Sequence, residues 1–484
     1  MPTSQEEDMN DPKGTSRRNF IKLATATTLV AGVSRDAFGS MATHLIEPRK
    51  QQTQTASPND RIRIATVGVG GQGTSDTNAA LRRTGPPTDQ ANPTPLGPGV
   101  EVVAVADLYD GRLTRAQEIW GKQLFTTRDY LEILARPDVD AVIVATPDHW
   151  HRKVAVDAMK AGKDVYLEKP MVQNLDEGKV LIDAARATNR VLQVGSQRVS
   201  SIVYQKAKDL YNAGAIGELN LVEAWWNRNS ALGAWQYTLP PDASAQTIDW
   251  ERFLGKAAKV PFDPIRFFRW RNYRDYGTGV AGDLFVHLFS GLHFVLSSNG
   301  PIRVMSTGGL RYWKDGRDVP DVMLGIYEYP KTATHPGFNL SLKVNFADGG
   351  GGEEGFRFVG SEGVMTIGRG VTITRKPLAK EPGLSTNTFP KTMQDAIQKE
   401  YRARYPENLK ELNSTREEVY VAPQGYSDQV DHLANFLDAV RTRKPVVEDP
   451  LFGFRAAGPA LLTNLSYFSG RSHEWDPEAV KTKG

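Results

Sequence analysis

The sequence predicts an α/β protein whose amino-terminal half is a doubly wound parallel sheet and whose carboxy-terminal half is an α+β domain. Three observations carry this. A strand that becomes wholly apolar, Arg61–Val67, runs straight into the glycine-rich turn Gly68-Val-Gly-Gly-Gln-Gly73. Short apolar strands then alternate with helical periodicity at short connections as far as Val194, the pattern of a parallel sheet covered by helices. Farther on, strands such as Leu340–Phe346 and Gly355–Val359 flank glycine turns at Gly349–Gly352 and Gly360–Gly363, which read as antiparallel hairpins because no helix of the nucleotide-binding kind follows.

Composition narrows the functions. At about 150 residues per domain, 484 residues make two or three domains. The charge is +3, from 59 basic and 56 acidic residues spread along the chain, so there is no clustered basic face for nucleic acid. Cysteine is absent, which removes thiolate nucleophiles, disulfides and Cys-based zinc or iron–sulfur sites. Redox chemistry therefore requires a bound organic cofactor.

Taken in order, the chain opens on a polar stretch, then Ser16-Arg17-Arg18-Asn19-Phe20-Ile21-Lys22 and the apolar run Leu23–Val33. This resembles a twin-arginine signal, with a charged region, a short apolar region and small residues near Ala37-Phe38-Gly39 or Met41-Ala42 for cleavage. The apolar run is too short and too rich in Ala and Thr to span a bilayer. The resemblance implies export through the twin-arginine translocation machinery of a protein already folded around its cofactor, with a soluble, periplasmic mature form not held in a membrane. Residues 1–42 are read as the signal, 43–60 as a linker containing the polar tract Glu47–Asp60, 61–196 as the nucleotide-binding domain, 197–470 as the α+β substrate domain, and 471–484 as a tail.

In the glycine turn, Gly68 permits the tight bend, Gly70 lets backbone approach a pyrophosphate, and Gly73 lets the next helix pack close. Gly71 and Gln72 complete the turn. The second strand, Val100–Ala106, ends in Asp107, placed to bond adenosine ribose hydroxyls and to repel a 2′-phosphate, which favours NAD over NADP. Asp107 stands 34 positions after Gly73, against the usual ~20; the excess is a Pro- and Gly-rich surface insertion, Thr84–Gly99. Further elements are strand Val139–Thr146, helix His151–Ala161, strand Asp164–Leu167, helix Leu175–Asn189 and strand Val191–Val194. Ligands bind at the carboxyl ends of such strands, which singles out Thr146-Pro147-Asp148-His149-Trp150-His151, Glu168-Lys169-Pro170 and Gly195-Ser196-Gln197-Arg198.

These motifs, with the later Gly282-Asp283-x-x-x-His287, are similar to those of the Gfo/Idh/MocA oxidoreductases across essentially the whole mature chain. The resemblance implies a Rossmann domain followed by an α+β domain with a large, mostly antiparallel open sheet that faces the active site and often mediates assembly into homo-oligomers. It implies NAD as cofactor and hydride exchange with a hydroxyl of a sugar or cyclitol. Lys169 is then the catalytic lysine, Asp283 the substrate-contacting aspartate and His287 the proton acceptor, and the peptide before Pro170 is often cis. Elementary chemistry agrees: removing a hydroxyl proton suits a neutral imidazole, and an ammonium stabilises the developing alkoxide. Four residues apart on a helix, Asp283 and His287 share a face, so the carboxylate either orients the imidazole or grips a sugar hydroxyl. Family members often carry Asp three residues after the histidine; Ser290 stands there, with His293 beyond it.

His149 and His151, in the strand-to-helix loop, are expected to contact nicotinamide or substrate, and no metal site is expected. Thr146, Pro147, Glu168 and Gln197 join the expected cofactor contacts. Aromatic residues crowd from Trp225 to Tyr276, either lining a carbohydrate cleft or serving as core or interface. Arg266, Arg269, Arg271 and Arg274 pair with a carboxylated substrate or with a subunit. Trp150, Arg198, Arg271, Tyr273 and His293 are the candidate substrate contacts. Lys376–Pro406 reads as an excursion from the sheet, and Asp428–Arg441 and Leu451–Ser469 as helices packing back on the core. Three activities remain open: an exported NAD(P)-dependent dehydrogenase, a glycosidase that oxidises its sugar transiently and recycles the cofactor, and a non-catalytic sugar-binding or scaffold protein.

Overall fold

Six parallel strands form the first sheet: β1 (Ile62–Val67), β2 (Val100–Ala106), β3 (Phe125–Thr127), β4 (Ala141–Val144), β5 (Asp164–Glu168) and β6 (Leu192–Gly195), in the order β3-β2-β1-β4-β5-β6. The computed structural model describes residues 61–81, 99–375, 384–405 and 416–483. The signal 1–42, the linker 43–60 and nearly all of the Thr84–Gly99 insertion lie outside the described residues. Helices α1 (Gly71–Ala80), α2 (Asp110–Trp120), α3 (Tyr130–Leu134), α4 (Asp148–Lys160) and α5 (Leu175–Thr188) connect the strands. Strands β4 and β5 are buried along their whole length, because a parallel sheet covered on both faces selects continuous apolar runs over alternation.

Helix α4 begins at Asp148, earlier than expected, so His149, Trp150 and His151 belong to its first turn and not to a loop. Pro147 precedes it with φ fixed at a helix-entry value, and the Asp148 carboxylate sits at the positive helix end.

The second sheet has ten strands, ordered β14-β13-β12-β11-β7-β10-β9-β8-β15-β16. In chain order they are β7 (Leu219–Trp226), β8 (Arg303–Gly309), β9 (Val322–Tyr329), β10 (Phe338–Asn345), β11 (Glu354–Gly360), β12 (Gly363–Ile367), β13 (Gly370–Arg375), β14 (Arg416–Val421), β15 (His473–Asp476) and β16 (Lys481–Lys483). Among the described residues its pairings are antiparallel except β7 with β10. The turn at Gly360–Gly363 closes the expected β11–β12 hairpin. Gly349–Gly352 does not make a hairpin: β10 and β11 flank β7 on opposite sides, so this loop crosses over one strand. Local turn residues announce a reversal but say nothing about an intervening strand.

Helices α6 (Ile202–Asn212), α9 (Val286–Leu296) and α12 (Pro450–Ser469) lie against this sheet. Burial alternates along β9 and β10, and Met305, Leu324 and Ile326 are exposed on the other face. The described part of Lys376–Pro406 contains a helix, α10 (Lys391–Arg404), with no buried residue. Helix α11 (Asp428–Thr442) packs Leu433, Phe436 and Leu437 into the cluster that holds Ile64, Ala79 and Tyr166 of the first sheet layer.

Between β7 and α9 the chain forms an aromatic cap, with helices α7 (Trp250–Leu254) and α8 (Pro264–Phe268) and a 3-10 turn, Trp270–Asn272. Trp250, Phe253, Phe267, Phe268, Tyr273 and Tyr276 pack with Tyr109 as a separate hydrophobic cluster. Tyr109 bridges to Ile248 in the backbone, and its hydroxyl donates to Asp242 Oδ1 at 2.5 Å.

Helices α5 and α12 join the two halves, and Gly178 allows their approach: a Cβ there would stand 2.3 Å from the Phe454 ring. Gly178→Ala is expected to lower stability by about 1–3 kcal/mol, read as a lower urea midpoint with unchanged slope.

Candidate functional site

A cavity of about 370 Å³ opens at the carboxyl ends of β1, β2 and β4. One wall is the glycine turn with Asp107, Thr146 and Pro147; the facing wall is the cap, through Phe253, Phe267, Phe268, Trp270 and Arg271. Gly68 has φ +90°, and a Cβ on it would meet Ala145 O at 2.5 Å. A Cβ on Gly73 would fall 1.9 Å from Gly68 O, so only glycine lets α1 pack on the turn. Gly71 has open space, leaving backbone N–H groups at the helix start free for an anion.

Asp107 accepts from the backbone N–H of Val69 at 3.0 Å and of Tyr109 at 3.1 Å, tying β2 to the glycine turn. Arg112 Nη1 donates to it at 3.4 Å, and the Arg112 guanidinium covers the Phe267 and Phe268 rings at 5.6 and 5.4 Å. Thr146 Oγ1, on the cavity wall, is buried without a partner. An open glycine turn, a carboxylate at the end of β2 and an orphaned hydroxyl fit a nicotinamide dinucleotide. Asp107 alone does not select NAD, because a guanidinium beside it is what a 2′-phosphate would use.

Next to this cavity, Lys169 directly follows β5 and Asp283 lies in a π turn, Ala281–Phe285, that leads into α9. Lys169 Nζ donates to Asp283 Oδ1 at 3.1 Å and to the Asp283 carbonyl at 2.9 Å. Arg271 Nε donates to the same Oδ1 at 3.2 Å, and its guanidinium lies over Trp270 at 4.3 Å. Burial alone would raise the Asp283 pKa; Lys169, Arg271 and Arg228 overcome it and hold the carboxyl well below the usual range. His287 stacks on Trp226 with ring centres 4.9 Å apart, and Arg198 covers Trp226 at 5.6 Å. Burial first, then Lys169 and Arg198, push the imidazole pKa far down, so the ring is neutral at neutral pH. No hydrogen bond links Asp283 to His287: the wide π turn breaks the regular i,i+4 face, and the carboxylate is taken by two cations.

Several expected contacts turn inward. His149 has Nε2 2.8 Å from the Phe253 carbonyl and Nδ1 3.3 Å from the Tyr276 carbonyl, and its neutral ring donates its one N–H to one of them. His151 is likewise set between the carbonyls of Pro170, 2.7 Å from Nδ1, and Thr146, 2.9 Å from Nε2. Burial pushes both down to about 4, and neither lines the cavity, so they brace backbone. Trp150 does line it, with its indole N–H on Phe253 O at 2.9 Å. Glu168 is buried; it accepts from Gln72 and Gln197 side chains at 3.2 Å each and from the Lys169 N–H at 3.1 Å, fixing the peptide that carries the lysine. His293 lies in the core, bonded to the Tyr329 hydroxyl at 2.9 Å, and Ser290 bonds back to Val286 O at 3.0 Å. Tyr273 is buried under Arg266 and does not reach the cavity. Arg198 pairs with Glu354 and with Asp428 at 3.0 Å. The Lys169–Pro170 peptide is cis.

Sequence reasoning missed Arg112, Arg228, the cap phenylalanines and Asp148. Asp148 stood inside a quoted motif and was the readable one. Its Oδ2 accepts from the Thr278 N–H at 2.9 Å and hydroxyl at 2.8 Å, holding the residues before the π turn. Burial, then the nearby Asp283 charge, raise its pKa to about 7.

Residues 62–196 match the Gfo/Idh/MocA model, described as an oxidoreductase family with an NAD-binding Rossmann fold. A glycosyl hydrolase family 109 protein of Shewanella baltica is 29% identical over 186 residues, 36% of this chain and 38% of that protein. The scyllo-inositol 2-dehydrogenase (NAD(+)) of Bacillus subtilis is 33% identical over 121 residues, 25% of this chain and 35% of that one. The chain thus spans little more than a third of these relatives. Levoglucosan dehydrogenase, solved with NADH and levoglucosan, superposes with a TM-score of 0.59 at 16% identity over 86% of this chain and 99% of that one, a likeness of fold.

An aspartate pKa raised on folding favours the native state at low pH and loses that contribution as pH climbs towards the folded value. Relative to Asp148→Asn, which mimics the protonated acid, the wild type is expected to lose stability between about pH 4 and 7. The loss is on the order of 1 kcal/mol per pH unit, measured by urea unfolding of both proteins across that range.

Proposed function

We propose that this chain, whose residues 62–196 carry the Gfo/Idh/MocA nucleotide-binding fold, is an exported NAD-dependent oxidoreductase acting on a hydroxyl of a sugar, glycoside or cyclitol. The observation that carries it is the meeting of Lys169, from the first sheet, with Asp283 beside a cavity built for a dinucleotide. When bound, the nicotinamide supplies the hydride acceptor and donor. Lys169 places its ammonium where an alkoxide develops, with Asp283 holding it in position. The neutral His287 ring, whose Nδ1 has no partner among the described residues, takes the hydroxyl proton, and Trp226 fixes its plane. The inositol dehydrogenase relative supports the substrate class.

A second reading keeps these residues but returns the hydride to the same substrate after elimination, giving net glycoside cleavage; the glycosyl hydrolase relatives favour it. The twin-arginine segment supports export, and the apolar open face around Met305, Leu324 and Ile326 supports assembly into a homo-oligomer.

Lys169→Ala is expected to lower turnover by ~10²-fold or more, while NAD affinity, followed by fluorescence titration, changes by no more than a few-fold. Screening sugars and aryl glycosides separates the readings. Net NADH formation supports the dehydrogenase, cleavage without net NADH supports recycling, and neither activity leaves a sugar-binding role. Replacing Arg17 and Arg18 together by Lys is expected to leave the protein in the cytoplasm, as seen by cell fractionation.

A further inference from the structure

The reacting end of this site carries more positive charge than its carboxylates balance. Lys169 and Arg271 share a single acceptor atom, Asp283 Oδ1. Arg198 is matched by Glu354 and Asp428. Asp148 lies near enough for its charge to act on Arg271, but burial and the Asp283 charge raise its pKa to about 7, so it adds only part of a counter-charge at neutral pH.

Arg228 follows Trp226 by two residues where β7 ends, and no carboxylate of the described residues lies within ion-pair distance of it. Its Nη1 donates to the Gly233 carbonyl at 2.9 Å, and its guanidinium is 5.7 Å from the Phe346 ring. Its backbone is pinned on both sides, the N–H by Asn345 O at 2.8 Å and the carbonyl by the Asp348 N–H at 3.0 Å. From there its charge acts on both Asp283 and His287. A transient alkoxide needs one cation, and Lys169 provides it. Two partly buried guanidiniums remain, Arg271 on the Asp283 carboxylate and Arg228 near both that carboxylate and the His287 ring. A guanidinium presents a planar fork that matches anionic oxygen groups, and cations held in place before binding lose little entropy when an anion arrives.

We propose that the substrate is an anionic carbohydrate, a sugar bearing a carboxylate or another anionic oxygen group, and that Arg228 and Arg271 receive that group. This rests on the oxidoreductase reading of the site and narrows its substrate class.

The test is calorimetric binding to the NAD-loaded protein of a hexuronate, a hexose 6-phosphate, a hexose 6-sulfate and the matching neutral hexose, each at low and high salt. At least one anionic sugar is expected to bind tenfold or more tighter than its neutral counterpart, with the advantage shrinking in salt; which one binds identifies the group. Arg228→Gln is expected to remove about tenfold of that affinity and Arg228→Lys to recover part of it, which a purely structural role would not do. Unfolding curves check that each variant is folded, and Arg271→Gln serves if Arg228→Gln is not. The proposal is overturned if no anionic sugar outbinds its neutral counterpart, or if folded variants bind the anionic sugar as well as the wild type. An anionic sugar that binds but gives no NADH, and whose aryl glycoside is not cleaved, would instead count against the oxidoreductase reading, so the two failures are distinguishable.

Discussion

Two cations on one carboxylate oxygen hold the candidate site together. Asp283 stands in a π turn, where the i→i+5 pattern departs from the regular helical ladder, and its carbonyl receives Lys169 Nζ as well as its carboxylate. Lys169 comes from the parallel sheet, Arg271 from the cap and Asp283 from the second half, so three separate pieces of chain converge on one acceptor. A buried charge is tolerated only when paired, and removing one partner of such a cluster costs about 3–5 kcal/mol. The arrangement therefore fixes the relative placement of the halves as well as the protonation states of the groups within it.

Around that centre, side chains that would serve as acids or bases elsewhere act as struts. His149, Trp150 and His151 place three ring systems in the first turn of α4, and each brings a ring nitrogen within hydrogen-bond distance of a carbonyl of the cap or of the Lys169–Pro170 segment. Their burial keeps the imidazoles neutral near pH 7, which suits bracing an apolar junction. The cap in turn is fastened to the nucleotide half from the other side, through the Tyr109–Asp242 bond and Arg128 on the Gln246 carbonyl at 2.8 Å. A dinucleotide bound in the cavity would be covered by the cap's aromatic rings, with Arg112 between the glycine turn and those rings.

Period and punctuation along the chain were enough for five of the six parallel strands, the glycine turn, Asp107 at the end of β2, and the two long carboxy-terminal helices; the three-residue β3 is too short to show a period. Each is local: an apolar run bounded by short connections reads the same wherever the sheet stands. Lys169, Asp283 and His287 were legible as motif positions. Three further features came only with the fold: Asp283 serving Lys169 and Arg271 in place of His287, the histidines of α4 turning inward, and Gly349–Gly352 crossing over β7. Arg228 was invisible because one arginine in a chain with 59 basic residues does not stand out until the described residues are seen to hold no carboxylate beside it. The amino-acid order determined which residue types arrive at the strand ends, since that follows from periodicity. Only the tertiary structure decided which of them meet, because pairing, burial and charge balance depend on segments more than a hundred residues apart packing against one another.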